Sequence, residues 1–304
     1  MDNKHSKIIV TGGAGFIGSH LTDELVKLGF EVHIIDNLST GRKENLNPAA
    51  KFHNLDIRNL ESIKPVFNKT KYVFHMAALA RVQPSIQDPK TYHDINTSGT
   101  FNVLMAARDA KVKRLIFSSS SSVYGEQKVF PLKENFAANP LSPYGLQKYM
   151  GELKCGIFSK IYNLETVCLR YFTAYGPRLH TSGAYSLAIG KFLGQRRQGQ
   201  PMTVTGTGRQ SRDFTSVYDI VRANILAMRS SKVGKGEVIN IGGGNDHSIN
   251  TVARLIGGPV VYIKSRQEPK RTLADISLAK KLLGWKPQIK LEDGIKELKK
   301  IYLS

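Results

Sequence analysis

Glycines stand at positions 12, 15 and 18 in Thr11-Gly12-Gly13-Ala14-Gly15-Phe16-Ile17-Gly18, directly after the apolar run Lys7–Thr11 (KIIVT). This order predicts a buried strand, a tight turn and a helix that opens on the last glycines. Glycine lets the backbone turn sharply and come close to a pyrophosphate, and the free N–H groups of the helix start bind that anion. The helix is expected over Phe16–Leu28 and a second strand over Glu31–Ile35 (EVHII), ending at Asp36. A carboxylate about 20 residues past the glycines accepts hydrogen bonds from the adenosine ribose hydroxyls and repels a 2′-phosphate. The expected cofactor is therefore NAD rather than NADP, and Asn37, not an arginine, follows the carboxylate. Asp56-Ile57 closes another short segment and is expected near the adenine, although Asp is also a common turn residue.

Further apolar runs at Tyr72–Met76 (YVFHM), Arg114–Ser118 (RLIFS) and Thr166–Arg170 (TVCLR) alternate with helical patterns. Two helices stand out, over Thr91–Asp109 and Tyr144–Ile161. Strands separated by helices mean βαβ units and a parallel sheet with right-handed crossovers. The fold class read from this is α/β, a doubly wound parallel Rossmann sheet with a smaller, interleaved C-terminal α/β substrate domain. The cofactor domain is expected over residues 1–168 plus about 214–238, and the substrate domain over 169–213 and 239–304.

No stretch approaches the roughly 20 apolar residues of a membrane span. The polar start MDNKHSK carries no signal-peptide pattern. Two cysteines, Cys155 and Cys168, have no metal-ligand spacing and no bridging framework, and the histidines show no metal spacing either. A cytoplasmic protein without a metal site is the reading. The formal charge of +20 is scattered along the chain rather than gathered, which argues for a Lys-rich solvated surface and against specific nucleic-acid binding. A basic cleft would draw a dianionic substrate.

The chemistry is carried by Ser142-Pro143-Tyr144-Gly145-Leu146-Gln147-Lys148. Ser-Pro opens a helix, so Tyr144 and Lys148, four apart, share one face. An ammonium beside a phenol favours the phenolate, and the expectation is that Lys148 lowers the Tyr144 pKa toward a usable general base. Such a pair alone means little. Upstream, Ile116-Phe117 runs into Ser118–Ser122 and Val123-Tyr124-Gly125, placing hydroxyls at the carboxyl end of a strand, where doubly wound sheets bind ligands.

Together these residues resemble the extended short-chain dehydrogenase/reductase superfamily, and within it the NAD-dependent nucleotide-sugar epimerases and dehydratases, most of all the UDP-glucose and UDP-N-acetylglucosamine 4-epimerases. The resemblance covers essentially the whole chain. His75-Met76-Ala77-Ala78, Arg170–Pro177 (RYFTAYGP), Arg212-Asp213-Phe214 and Leu283–Pro287 (LGWKP) fall in family order with the glycine motif, the serine run and Tyr144/Lys148. The resemblance implies that Ser120, Tyr144 and Lys148 are catalytic, with Tyr144 the base and Lys148 on the nicotinamide ribose. It places Gly12, Gly15, Phe16, Ile17, Gly18, Asp36, Asn37, Asp56, Ile57, Ala77, Ala78, Ala80, Asn96 and Tyr171 against NAD. It places Ser120, Ser122, Tyr144, Thr173, Arg212, Arg266, Glu268 and Thr272 against a UDP-sugar, Arg212 and Arg266 on the diphosphate and Glu268 on the nucleotide ribose. It further implies a homodimer formed through the two long helices.

Dehydratases of this kind carry an Asp-Glu pair where this chain has Ser121-Ser122, and decarboxylases a Glu at the second place. Eliminating water needs an acid and a base beside the sugar, so the serines favour 4-epimerisation by transient oxidation at C4. Thr173 stands where many 4-epimerases carry Asn and keeps a uronic-acid 4-epimerase, or another epimerase or reductase on the same scaffold, open as alternatives. Thr272 admits hexose and N-acetylhexosamine alike. A non-catalytic NAD-binding module is the remaining alternative, and the intact Ser120/Tyr144/Lys148 set speaks against it.

Overall fold

A computed structural model describes residues 6–183, 186–265 and 268–304. Seven strands form one parallel sheet: β1 (Lys7–Thr11), β2 (Glu31–Ile35), β3 (Lys51–His53), β4 (Thr70–His75), β5 (Arg114–Ser120), β6 (Glu165–Tyr171) and β7 (Lys235–Ile241). Their order across the sheet is β3-β2-β1-β4-β5-β6-β7. The direction of winding reverses between β1 and β4, where open α/β sheets form their ligand crevice. Helix Phe16–Lys27 follows β1, and β2 pairs in register with it from Lys7↔Glu31 to Thr11↔Ile35.

The strands are apolar on both faces because both are covered. In β1, Ile8 and Val10 join a core with Leu21, Leu25 and Ile220, whereas Ile9 joins the opposite core with Val103, Leu104 and Phe158. The alternation is the period of two that a strand imposes. The helix over Pro143–Tyr162 starts as its sequence predicts: Ser142 caps it, its Oγ accepting the Gly145 N–H at 3.1 Å, with Pro143 in the first turn. The other long helix begins at Pro89 and contains a π-type stretch, Asp94–Gly99, before Thr100–Asp109.

A second lobe has its own core, in which Phe192, Met202, Val204, Ile249, Val252, Leu291 and Leu298 meet. Met202–Thr205 pairs with Val260–Ile263 there, and Ser211–Asp213 with Asp246–Ser248. The main sheet reaches beyond the borders read from sequence, since β6 runs to Tyr171 and β7 to Ile241. Helix Ser277–Leu283 and Trp285 also pack into the first core, with the Trp285 indole N–H donating to the Asp219 carbonyl at 3.0 Å. Leu283 and Trp285 of the C-terminal LGWKP run thus pack into the core of the main sheet.

Candidate active site

The glycine turn comes first because it sets how close anything can approach the sheet's carboxyl edge. Gly12 has φ of +71°, and a Cβ there would lie 2.6 Å from the Ala77 nitrogen. A Cβ at Gly18 would collide with the Gly12 carbonyl. Gly12 N–H donates to the Ile35 carbonyl at 2.8 Å and Met76 N–H to that of Thr11 at 3.1 Å, which ties the turn to both neighbouring strands. Asp36 lies at the end of β2, its carboxylate accepting from Ala14 N–H at 3.0 Å and Leu38 N–H at 2.8 Å. Burial raises its pKa, and these two N–H donors oppose the rise. A turn that only glycine can make, opening a helix beside a buried carboxylate, fits the diphosphate and ribose of NAD.

The turn borders a cleft of about 320 Å³ that runs on to the carboxyl ends of β4, β5 and β6. Its wall includes Gly12, Gly15, Phe16, Ile17, Gly18, Asp36, Asn37, Asp56, Ile57, Ala77, Ala78, Ala80, Ser120, Ser122, Tyr144, Lys148, Tyr171 and Thr173, all named from sequence. Asn37 Nδ2 donates to Asp56 Oδ2 at 2.9 Å, and Asp56 also binds Arg58 at 2.8 Å, which with the other bonds to Arg58 holds its pKa down. Tyr171 donates its hydroxyl to Asn224 Oδ1 at 2.9 Å, and burial raises its pKa.

Ser120 ends β5, and Tyr144 and Lys148 project from the first two turns of the Pro143–Tyr162 helix. The Ser120 hydroxyl donates to Ser122 Oγ at 3.1 Å, and Ser120 shares the cleft wall with Tyr144. Burial raises the Tyr144 pKa, while the Ser120 hydrogen bond and the Arg81 charge act against it. The expected lowering by Lys148 does not hold. Its Nζ lies 6.0 Å from the centre of the Tyr144 ring and donates to the Ser118 carbonyl at 2.7 Å. Desolvation brings Lys148 itself down to about 8.

Behind the cleft, Glu152 on the same helix forms an ion pair with Arg170 on β6, with Nη2–Oε2 at 2.7 Å and Nε–Oε1 at 2.8 Å. The side chains are 3% and 4% exposed, and Ser119 Oγ donates to the same carboxylate. One buried pair therefore joins the helix of Tyr144, the strand of Tyr171 and the residue beside Ser120.

Four expected contacts lie elsewhere. Asn96 does not reach the cleft wall: its amide is used on the Leu79 backbone and on Gln147 Oε1. Arg212 and Glu268 belong to the second lobe's side and bind one another at 3.0 Å rather than lining the cleft. Thr272, buried and also off the cleft wall, accepts from Asp213 N–H at 3.4 Å. Arg266 falls outside the described residues. Sequence reasoning missed Arg81, His180 and Leu187, which line the same cleft as Thr173. Arg81 adjoins the alanine run and could have been found from it. His180 and Leu187 lie outside regular elements, where no local pattern fixes a position. Among the described residues, no three His, Cys, Asp or Glu side chains come together to hold a metal, and no helix is long and apolar enough to cross a membrane.

The comparisons agree with this geometry. Residues 8–242 match the model of the NAD dependent epimerase/dehydratase family. A putative UDP-glucose 4-epimerase of Methanocaldococcus jannaschii is 40% identical over 300 residues, 96% of each chain. A UDP-glucuronate 4-epimerase of Thermodesulfobacterium geofontis is 37% identical, over 95% of this chain and 93% of its own. The solved structure of a UDP-glucose 4-epimerase of Thermotoga maritima, with UDP-glucose, superposes with a TM-score of 0.93 at 38% identity, covering 98% of this chain and all of that one. The chain is an NAD-dependent enzyme of the Rossmann type and belongs to the NAD-dependent epimerase/dehydratase family.

Proposed function

We propose that the protein interconverts a UDP-hexose or UDP-N-acetylhexosamine with its 4-epimer, using Ser120, Tyr144 and Lys148 and a tightly held NAD. One observation carries the reading: buried Tyr144 lies in a single cleft with Ser120, the glycine turn and Asp36, and the same cleft presents Ser121 and Ser122 rather than the acid and base that elimination needs. NAD, when bound, supplies the hydride acceptor and, oxidised, a positive charge in the cleft. Tyr144 takes the proton of the sugar 4-OH and later returns it. Ser120, beside Tyr144 in the cleft wall, orients that hydroxyl, and Lys148, fixed on the Ser118 carbonyl, faces the cofactor's ribose. The 4-keto sugar turns over while remote binding of the nucleotide keeps it in place. Arg212, Arg266 and Glu268 are assigned to the nucleotide diphosphate and ribose, which requires the Arg212–Glu268 pair to open toward the ligand.

Thr173 in the cleft wall, with the similarity to a UDP-glucuronate 4-epimerase, supports a uronate substrate as the second reading. The helix Pro143–Tyr162 leaves Leu146, Leu153, Ile157 and Ile161 exposed along one side, and Phe101 on the neighbouring helix is exposed as well. This apolar stripe supports a homodimer joined through the two long helices. Two free, buried cysteines suit a reducing cytoplasm. The test is an assay of purified protein with UDP-glucose, UDP-N-acetylglucosamine and UDP-glucuronate, no cofactor added, each separated from its 4-epimer. Conversion of one of the first two is expected. Conversion of UDP-glucuronate alone would transfer the assignment to the uronate branch, and no conversion even with added NAD would overturn it.

A further inference from the structure

Residues 77–80, which leave the end of β4, form one wall of the cleft, and the hydrogen bonds behind them form a closed circuit. Ala77 N–H donates to Thr11 Oγ1 at 3.2 Å. Thr11 Oγ1 lies 2.7 Å from His75 Nδ1, and His75 Nε2 lies 2.9 Å from Thr100 Oγ1. Thr100 Oγ1 donates to the Asn96 carbonyl at 2.6 Å. Asn96 then returns to the wall, its Oδ1 accepting Leu79 N–H at 2.9 Å and its Nδ2 donating to the Leu79 carbonyl at 3.0 Å. The path leaves the wall at residue 77 and comes back at residue 79. Thr11, His75, Asn96 and Thr100 are all buried.

Only one placement of protons satisfies every member. Thr100 has a single hydroxyl proton and spends it on Asn96 O, so its oxygen must accept from His75 Nε2–H. With Nε2 protonated, the neutral ring has its lone pair on Nδ1, and Thr11 must donate there. Thr11 Oγ1 remains open to accept from Ala77 N–H, as it does. A proton on Nδ1 as well would set two donors against Thr11 Oγ1 and leave the threonine's own proton without this acceptor. Burial and the Lys148 charge act in the same direction, holding His75 neutral with a pKa near 3. The π-type stretch Asp94–Gly99 encloses Asn96, which places its carbonyl on Thr100 and its side chain on Leu79.

We propose that His75 is a positioning residue for the cofactor: held as the neutral Nε2–H form, it closes a one-directional hydrogen-bonded circuit that fixes residues 77–80 where NAD binds. The proposal rests on NAD occupying the cleft. His75 does not touch that cleft, and its effect passes through Thr11 and Thr100 to the wall. The wall must be held closely, because Gly12 already lies so near Ala77 that no Cβ fits between them. The circuit therefore contributes to affinity for NAD and not to the chemical step.

Two measurements test this. The first is the ¹⁵N spectrum of the histidine rings in NAD-free wild-type protein, with the His75 signals identified by their loss in His75→Asn. His75 is expected to carry its proton on Nε2, with both nitrogens unchanged from about pH 5 to 8, where ordinary histidines titrate. A proton on Nδ1, or titration in that range, would overturn the circuit, and this holds whether or not wild type retains NAD. The second compares Thr100→Val, which keeps the shape and deletes both links, with Thr100→Ser, which restores them. Thr100→Val is expected to raise the dissociation constant for NAD about tenfold. Its kcat at saturating NAD should stay within about twofold of wild type, and Thr100→Ser should recover the affinity. Unchanged NAD affinity in Thr100→Val, or loss of kcat with affinity intact, would refute the positioning role. Wild type that binds no NAD would count against the cofactor assignment itself, and the spectrum would still decide the proton arrangement.

Discussion

Glu152→Ala removes one partner of the ion pair behind the cleft and leaves the Arg170 guanidinium in a site that is 4% exposed. Taking away one member of a buried pair typically costs about 3–5 kcal/mol, because the other charge stays buried without compensation. Two short contacts and the Ser119 hydroxyl converge on this carboxylate, so a loss in that range is expected. Unfolding entropy of about 2.1 cal/mol/K per residue near 60 °C gives roughly 0.6 kcal/mol/K for a chain of this length, so the melting temperature should fall by about 5–8 °C. Calorimetry on wild type, Glu152→Ala, Arg170→Met and the double variant Glu152→Ala/Arg170→Met reads this directly. The double variant should lose less than the sum of the singles, since neither charge remains. A fall of less than about 1 °C in Glu152→Ala, or strict additivity, would refute the reasoning that this pair fastens the helix of Tyr144 to the sheet.

Tyr144→Phe should fold normally and lose about 10²–10⁴-fold in kcat, the range of a general base, as read in an epimer-separation assay. Asp36→Ala should yield protein with less copurified NAD, measured after denaturation, and full retention would remove Asp36 from the cofactor site. Lys148 is depressed to about 8 from its ordinary 10.5, so burying its charge costs stability in full below pH 8, and that cost disappears as pH rises to 10.5. The stability gained by Lys148→Met should accordingly shrink across this window by up to about 3 kcal/mol, followed by urea unfolding at several pH values. Leu153→Asp on the exposed stripe should shift the mass measured by light scattering from dimer to monomer, with an unchanged mass speaking against that interface.

Much of this was legible in the sequence because it is local. The alternation of Ile8, Ile9 and Val10 between two cores, the glycine turn and the Ser142 cap all follow from spacing over a few residues. The glycine-turn end of the cleft follows too, since strand ends and helix starts are themselves local features. The direction of the Tyr144 shift was not legible, because it depends on how deeply the phenol is buried and on where the Lys148 ammonium points. The Asn96 side chain braces Leu79, a partner 17 residues away that no periodicity announces. Trp285 packs into the first core and bonds to Asp219 across 66 residues of chain. Arg212 and Glu268 meet across 56 residues, and only the folded lobe shows that they engage each other.

The central claim is transient oxidation at C4 with the hydride held inside the protein. A UDP-sugar carrying deuterium at C4, turned over in unlabelled water with no added NAD, tests it most directly. The account predicts that the 4-epimer retains the deuterium at C4, since the same hydride leaves and returns within one cleft. Loss of the label to solvent, with epimerisation intact, would contradict it and require a different reaction at the sugar.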